Sequence, residues 1–449
     1  MQISIAGAGA GKTTTMADTI VDLRKKTNEN KHIFCITFTN NAVSCIEQKL
    51  QRYYGVIPNS IVISTIHSFL YREFIKPYYY LLFGKHYERI SIAPLPQNPE
   101  YRNMKIRRLE DINILHQTVI PERAKWVVVK KSDDKKTVKD KRAIIKNVFK
   151  EYCGGICIDE AQDIDSDMQM IIETLNEIGI PLILMGDPKQ DLKGRKCLKN
   201  IMEKSKDNVS YIGVCHRCPQ KHLVLSNSIV ESQQQQYSNK EGGYLKILFE
   251  NDKPCSELIN EEDFDLCYIS QKQGKYETHN TEKAKDILLG LSEEIESEMR
   301  RLHPNKAELI LLKTSHYYAE TLLKKYTTTH NEKKAMSETF KYDTLSKKAY
   351  GAIINMLLDN SATPDEEKIL VSSIDSIKGQ EGENCLFILT PDLAAYLFGV
   401  KTEDNATKSR LYVALTRSLN KLTIFITKEV EVKYKREHII DFFENLINA

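Results

Sequence analysis

A glycine-rich stretch near the start of the chain constrains the fold more than any other feature. It runs from Ala6 to Thr13, follows the apolar run 3–5, and leads into a segment with helical character. It matches the phosphate-loop pattern G-x-x-x-x-G-K-[ST], except that Ala6 takes the first glycine position. Such a loop turns its backbone N–H groups toward a phosphate, and the helix N-terminus behind it adds partial positive charge. We therefore predict a nucleotide site between a strand and a helix.

The residues of this predicted site have separate roles. Lys12 is expected to reach the β- and γ-phosphates, and the Thr13 hydroxyl to coordinate Mg²⁺. The remaining contacts would come from the loop backbone and the start of the helix, at Gly7, Ala8, Gly9, Ala10, Gly11 and Thr14. The alternative is a glycine-rich turn that carries Lys-Thr by accident.

A second candidate motif is acidic. The apolar run 155–158 ends in Asp159 and Glu160, which places two carboxylates at a predicted strand tip. Asp159 would hold Mg²⁺ directly or through water, and Glu160 would orient and deprotonate an attacking water. An ordinary acidic turn is the alternative, but the position downstream of a phosphate loop favours catalysis.

Composition indicates a globular chain of two or three domains. It has 449 residues, 41% hydrophobic and 28% charged, with no apolar run near the ~20 residues of a membrane span. A charged signal-peptide start is missing, and the ten cysteines are scattered, so we expect reduced thiols and a cytoplasmic location. The cluster 215–218 contains Cys-His-Arg-Cys, but no second pair has zinc spacing.

Charge is unevenly distributed. Residues 102–150 carry 15 Lys and Arg against 6 Asp and Glu, although the net charge of the whole chain is only +3. Such a block is typical of contact with nucleic-acid phosphates, and a solvated surface is the alternative.

Alternating strand-like and helix-like runs indicate an α/β fold with parallel sheets and ligands at the strand carboxyl ends. Apolar runs at 264–269 and 307–312 are assigned to strands, and the glutamine-rich run 232–236 to a surface loop. The last helix has an apolar face, which we expect to dock on its own domain or, alternatively, on a partner. That face consists of Ile439, Phe442, Phe443, Leu446 and Ile447.

Taken in order, these stretches resemble the motifs of superfamily 1 helicases of the UvrD/Rep type. The other stretches that carry the resemblance are 37–42 (TFTNNA), 64–69 (STIHSF), 186–190 (GDPKQ), Arg217, 373–381 and 411–418 (LYVALTRS). The resemblance implies two RecA-like domains with ATP and Mg²⁺ between them. We predict the first domain at 1–69 and 151–225, a basic helical insertion at 70–150, the second domain at 226–326 and 365–449, and a reduced insertion at 327–364.

The resemblance also implies roles for individual residues. Glu160, Gln190, Arg217 and Arg417 would be catalytic, with both arginines facing the γ-phosphate, and Gly379 and Glu381 would contact the nucleotide, Glu381 at the ribose. Single-stranded DNA would be gripped by Phe38, Thr39, Asn40, His67 and Ser373. The implied activity is an ATP-dependent translocase or helicase that moves 3′ to 5′.

Departures from the family pattern suggest a reduced form of such a helicase. We expect no adenine-reading glutamine motif upstream of the phosphate loop, and the segment 191–196 lacks base-stacking aromatics. The size resembles the compact helicase-like subunits of anti-phage systems such as Gabija, which implies an OLD-like nuclease partner. The alternative function is therefore a nucleotide- and DNA-responsive regulatory subunit with little unwinding of its own.

Overall fold

The computed structural model describes residues 1–96, 98–271, 273–278, 281–341, 343–358 and 368–448. The β-strands of the described residues are β1 (Gln2–Ala6), β2 (His32–Thr37), β3 (Ile61–Thr65), β4 (Arg89–Ser91), β5 (Ile114–His116), β6 (Cys153–Ile158), β7 (Leu182–Gly186), β8 (Val209–Ile212), β9 (Tyr244–Phe249), β10 (Leu266–Ile269), β11 (Tyr276–Thr278), β12 (Ile369–Ser373), β13 (Gly382–Leu389) and β14 (Ser418–Ile426).

The α-helices of the same residues are α1 (Lys12–Lys26), α2 (Asn40–Tyr54), α3 (Ile66–Leu70), α4 (Lys76–Phe83), α5 (Pro99–Asp111), α6 (Ile120–Val128), α7 (Lys136–Tyr152), α8 (Ser166–Glu177), α9 (Cys197–Lys204), α10 (Gln220–Asn227), α11 (Cys255–Glu261), α12 (Thr281–Leu302), α13 (Glu308–Thr329), α14 (Glu332–Thr339), α15 (Lys347–Leu358), α16 (Pro391–Leu397), α17 (Ala406–Leu415), α18 (Lys428–Tyr434) and α19 (Arg436–Asn448). A π-helical turn covers Tyr71–Ile75, and 3₁₀ turns cover Gln117–Val119, Ala161–Asp163, Pro188–Gln190, Lys206–Asn208 and Ser232–Gln234.

The first sheet has six parallel strands in the order β3-β2-β6-β7-β1-β8. Its central strands are continuous apolar runs because helices cover both faces of such a sheet. Since β6, β7 and β1 are neighbours and run in the same direction, the three loops that leave their carboxyl ends meet at one edge. This arrangement brings together the phosphate loop and the acidic motif, which lie about 150 residues apart in sequence.

The second sheet also has six parallel strands, in the order β11-β12-β10-β13-β14-β9. One large core forms around it from strand residues such as Phe387 and Ile424 and from helix α17. The two sheets confirm the predicted α/β fold class with parallel strands.

The chain divides into two compact units. Unit 1 comprises 1–85, 120–278 and 369–449, and it contains both six-stranded sheets. Unit 2 comprises 86–119 and 279–368, and among its described residues it contains α5, α12 to α15 and the parallel pair β4-β5. Its core is helical, with Leu291, Ile295, Leu322 and Ile353 fully buried.

The strand predicted at 307–312 is wrong. These residues begin α13, whose buried positions include Leu311, Ser315, Ala319 and Leu322, which is a helical spacing. A short apolar run does not by itself distinguish a strand from a helix. The helical unit therefore extends well beyond the predicted insertion 327–364, of which residues 342 and 359–364 lie outside the described residues.

The C-terminal helix α19 packs on its own unit. Ile439 and Phe443 are buried in the core around the second sheet, and Phe442 and Leu446 pack against that core. The side chain of Ile447 lies outside the described part of the chain. The prediction that this face docks on its own domain is confirmed for the described side chains. In the described residues, no helix combines the length and the apolarity that a bilayer crossing requires.

Candidate active site

The phosphate loop (Ala6–Thr13) begins at the carboxyl end of β1 and ends in the first turn of α1, which also contains Thr14. Gly9 and Gly11 have φ angles of 68° and 75°, which residues with a Cβ adopt at a cost. A Cβ on Gly9 would also lie 2.4 Å from the Cβ of Arg217, so glycine is required there by contact as well. The ammonium of Lys12 donates to the carbonyl oxygens of Ala6 and Gly7 at 3.3 Å.

The two predicted acids follow β6 directly. Asp159 is buried, and its Oδ1 accepts a hydrogen bond of 2.9 Å from the backbone N–H of Glu160. Glu160 has a φ angle of 53°, a left-handed conformation that is unusual for a residue with a side chain. Its carboxylate accepts a hydrogen bond from the Gln162 amide, which holds the side chain in place.

A buried hydrogen-bond network extends this arrangement to β7. The other end of the Gln162 amide accepts from the backbone N–H of Asp187 at 2.9 Å. Asp187 in turn accepts from the side chains of Gln190 and Lys189, both at 2.9 Å. Gln190, predicted as catalytic, is thus held by Asp187, which Gln162 links to the acidic motif.

The two acids have different electrostatic surroundings. Burial raises the pKa of Asp159 to about 7, with a further contribution from the Glu160 carboxylate beside it. Burial also acts to raise the pKa of Glu160, but the ammonium groups of Lys12 and Lys378 outweigh it and lower that pKa. Glu160 is therefore ionised at neutral pH and can accept a proton, whereas the charge of Asp159 is poorly compensated.

These residues fit a Mg²⁺ site. The Thr13 hydroxyl and the Asp159 carboxylate are oxygen donors of the kind that Mg²⁺ binds, usually together with water and substrate phosphates. The raised pKa of Asp159 reflects a buried carboxylate that the protein's own cations do not neutralise. Within the described ranges, no group of three or more His, Cys, Asp or Glu side chains could hold a metal ion.

Arg217 approaches the phosphate loop from the segment between β8 and β9. Its backbone and Cβ pack against Gly9, and its guanidinium forms an ion pair of 2.6 Å with Glu381. It also donates to the carbonyl oxygen of Thr416 at 3.4 Å. The structure therefore brings Arg217 and Glu381 together, with the Arg217 backbone next to the loop.

Arg417 has a different environment. Only 1% of its surface is exposed, and its guanidinium donates to the carbonyl oxygens of Val413 and Gln380 and to the Thr416 hydroxyl. Burial lowers its pKa to about 10, with the nearby Arg217 contributing, so it remains charged at neutral pH. Gly379, with a φ of 86°, immediately precedes Gln380. Contacts of Arg417 with a γ-phosphate and of Glu381 with a ribose stay predictions.

Two sets of contacts join the surroundings of the two sheets. Lys378 forms an ion pair of 2.6 Å with Asp163 of the acidic motif. Tyr412 and Gln236 form hydrogen bonds with Ala8 of the phosphate loop. The interpretation of residues 232–236 as a surface loop is wrong for Gln236, which is only 4% exposed. Its neighbours are more exposed, and composition cannot show which glutamine of such a run turns inward.

The predicted DNA-contacting residues lie at other strand ends. Phe38, Thr39 and Asn40 follow β2, and both Thr39 and Asn40 are exposed. Thr39 caps α2 by accepting from the N–H of Ala42, which is a structural role. His67 lies in α3, just after β3, and burial lowers its pKa.

Ser373 ends β12 in the second sheet, and its hydroxyl accepts from the N–H of Ser376. Two of the five candidates, Thr39 and Ser373, thus already have local hydrogen bonds. Contact of the five with DNA remains a prediction.

Comparisons with known proteins agree with this arrangement. A sequence family described as "AAA domain" matches residues 1–194, which include the phosphate loop, the acidic motif and Gln190. The Gabija protein GajB of Bacillus cereus (strain VD045) is 29% identical over 262 residues, which are 57% of this chain and 51% of the relative. The chain thus spans about half the length of this curated relative.

Two solved structures were also found. One is a complex of Arterivirus nonstructural protein 10 (helicase) with DNA, with 12% identity, coverage of 94% of this chain and 60% of that chain, and a TM-score of 0.36. The other is the PRRSV helicase, with 10% identity, 94% and 52% coverage, and a TM-score of 0.34. The family match, the relative and the motifs support a helicase-type NTPase role. The chain resembles a UvrD/Rep-type superfamily 1 helicase, in a compact form similar to the Gabija protein GajB.

Proposed function

We propose that the protein is an ATP-dependent translocase or helicase on single-stranded DNA, which hydrolyses ATP between its two parallel sheets. The observation that carries the proposal is the position of Arg217. It packs against Gly9 of the phosphate loop, while Lys12, Asp159 and Glu160 lie at the adjoining strand ends. The Arg217 backbone, a candidate base and the phosphate loop thus meet at one edge of the first sheet, and the Arg217 guanidinium, which is paired with Glu381, would turn to the phosphate when nucleotide binds.

The chemistry that these residues can perform is phosphoryl transfer to water. Glu160 is held ionised by Lys12 and Lys378, so it can orient a water molecule and accept its proton. Lys12 and Arg217 would stabilise the negative charge that spreads over the γ-phosphoryl oxygens in the transition state. Bound Mg²⁺ would neutralise phosphate charge. Gln190, fixed by Asp187, is suited to position the water or to sense the phosphate.

DNA coupling is supported by topology. Thr39 and His67 follow β2 and β3 at the same edge of the first sheet as the phosphate loop. A rearrangement at the loop would therefore reach these positions through short connections. Movement in the 3′ to 5′ direction is proposed from the resemblance to UvrD/Rep-type enzymes.

The test is steady-state phosphate release from ATP by the purified chain, with and without single-stranded DNA. We expect turnover to rise when the single strand is added and to vanish in the Lys12→Ala variant, which excludes a contaminating ATPase. Running each of the four NTPs in the same assay measures base selectivity. Turnover that single-stranded DNA leaves unchanged would contradict the translocase proposal.

A second candidate function is a nucleotide-responsive regulatory subunit that works with an OLD-like nuclease. The similarity to the Gabija protein GajB favours it. The apolar face of α19 does not, because its described side chains are used within unit 1. The test is co-purification of the full chain with a nuclease encoded beside its gene. A stable complex whose nuclease activity changes with ATP would support this role, and two proteins that elute separately would oppose it.

A further inference from the structure

The side chain of Gln236 is inserted against the phosphate loop. A Cβ added to Gly7 would lie 2.2 Å from the Gln236 Cδ, so the absence of a side chain at Gly7 makes room for this amide. Asn227 fixes the backbone of Gln236 from both sides. Asn227 Oδ1 accepts from the Gln236 N–H at 2.9 Å, and its Nδ2 donates to the Gln236 carbonyl at 2.7 Å. The amide is therefore held firmly in this position.

Three groups form a closed ring of hydrogen bonds at this point. The Tyr412 hydroxyl donates to Gln236 Oε1 at 2.8 Å, and Gln236 Nε2 donates to the Ala8 carbonyl at 3.1 Å. The Ala8 N–H closes the ring by donating to the Tyr412 hydroxyl at 3.2 Å. All three residues are buried, where an amide or a hydroxyl is tolerated only when its hydrogen bonds are made.

The ring connects the loop to helix α17. Tyr412 lies on α17, and four residues later Thr416 accepts a hydrogen bond from Arg217. Ala8 itself packs in the core around the second sheet. The backbone of Ala8 in the phosphate loop is thus held at both its N–H and its C=O by side chains that lie outside the first sheet.

We propose that Gln236 is a positioning residue for nucleotide hydrolysis. It fixes the Ala8 peptide and the Tyr412 hydroxyl relative to each other, so that the phosphate loop, α17 and the Arg217 contact at Thr416 move together. This inference rests on the hydrolysis proposed above and adds a residue that no motif includes. Nothing apolar of similar size reproduces the ring, because it needs one donor and one acceptor on the same side chain.

The first test measures the loop itself and does not require turnover. Hydrogen–deuterium exchange is followed for the peptide that covers the phosphate loop in wild type, Gln236→Ala, Tyr412→Phe and the control Gln233→Ala, which alters an exposed glutamine of the same run. Exchange should become about tenfold faster in the first two variants and stay at the wild-type rate in the control. Exchange that is equal in all four proteins would overturn the inference, whether or not the wild type hydrolyses ATP.

The second test separates positioning from general destabilisation. In an active enzyme, kcat for ATP should fall about 10–100-fold in Gln236→Ala with a much smaller change in KM, because the reacting groups are misplaced. The double variant with Tyr412→Phe should lose no more than the worse single variant, since both disrupt one ring. Gln236→Glu retains the acceptor for Tyr412 but places a carboxylate oxygen against the Ala8 carbonyl, so its kcat should fall at least as far as that of Gln236→Ala.

The outcomes distinguish the two proposals. A wild type without turnover contradicts the proposed function, and the exchange experiment then decides the inference alone. An active wild type with normal kcat in Gln236→Ala overturns the inference and leaves the proposed function standing. Melting temperatures of all variants identify any that fail to fold, in which case Tyr412→Phe, which removes a single oxygen atom, decides.

Discussion

The two sheets contribute to the candidate site from opposite ends of their strands. In the first sheet, the phosphate loop, Asp159 and Asp187 follow the carboxyl ends of β1, β6 and β7. In the second sheet, Glu381 and Arg417 immediately precede β13 and β14, at the amino ends. The same parallel architecture is thus used in two ways, and only the first follows the usual rule for ligand sites.

Side chains at the two edges accordingly have different surroundings. Side chains at the carboxyl edge of the first sheet, such as Lys12 and Glu160, interact electrostatically and are only half-buried. At the amino edge of the second sheet, Arg417 is enclosed by the carbonyl groups of its own connections. We infer that residues at the edge of the first sheet take part in the chemistry. Residues beside the second sheet mainly contact Arg217 and hold it in position.

Replacement of Arg217 is expected to have the largest effect. Because Arg217 packs on Gly9 of the phosphate loop and carries the cation proposed to face the γ-phosphate, Arg217→Ala should lower ATP turnover by about 10³–10⁵-fold while nucleotide binding changes little. Phosphate release measures this, and Arg52→Ala, at an exposed position of α2, is the matched control. Full activity of Arg217→Ala would mean that the cation from outside the first sheet is not needed.

The next largest effect is expected at the carboxyl edge of the first sheet. Glu160→Gln keeps the shape of the side chain but removes its ability to accept a proton, so kcat should fall about 10²–10⁴-fold. Binding of ATP and of single-stranded DNA should persist, which filter binding can show. Glu177→Gln makes the same change at an exposed position on α8 and should leave kcat unaltered. Comparable losses in both variants would remove Glu160 from the mechanism.

Replacement of Arg417 tests whether this residue stabilises the fold or acts on the nucleotide. Arg417→Lys cannot reproduce the fork of hydrogen bonds that the buried guanidinium makes to Val413, Gln380 and Thr416, so we expect the free energy of unfolding to fall by about 1–3 kcal/mol. Thermal denaturation without nucleotide measures this, and Arg217→Lys, in a partly exposed ion pair, should change the melting temperature much less. If Arg417→Lys instead melted normally and lost turnover, Arg417 would act on the nucleotide and the proposed division of roles would be wrong.

The smallest effect concerns His67. Burial holds its pKa below the ordinary value of 6.5, so the native protein binds a proton less readily than the unfolded chain. The contribution of His67 to the free energy of unfolding is therefore fully present above pH 6.5 and decreases as the pH falls below that value. Between pH 7.5 and 5.5, wild type should lose more stability than His67→Gln in denaturant titrations. Parallel losses would show that His67 does not titrate in a buried setting.

Much of this candidate site could be predicted from the sequence because its residues lie just after strands. The phosphate loop and the pair Asp159 and Glu160 come directly after apolar runs, Gln190 lies shortly after β7, and parallel pairing brings such strand ends together. The segment 307–312 was predicted incorrectly because a six-residue apolar run fits a strand and the start of a helix equally well.

Gln236 and the surroundings of Arg417 could not be predicted either. Their positions depend on packing between segments that are distant in sequence, such as Gln236 with Ala8 and Arg417 with Gln380. A run of glutamines has no periodicity that marks one of them as buried. Contacts between the surroundings of the two sheets are therefore what the sequence does not predict and the structure shows.

We propose that hydrolysis between the two sheets drives movement along a single strand. It is tested most directly by ATP turnover at saturating concentrations of single-stranded oligonucleotides of increasing length. A translocating enzyme spends a growing share of its time moving rather than rebinding, so turnover should rise with length and then level off. Turnover that is the same for the shortest and the longest strand would contradict movement along the strand.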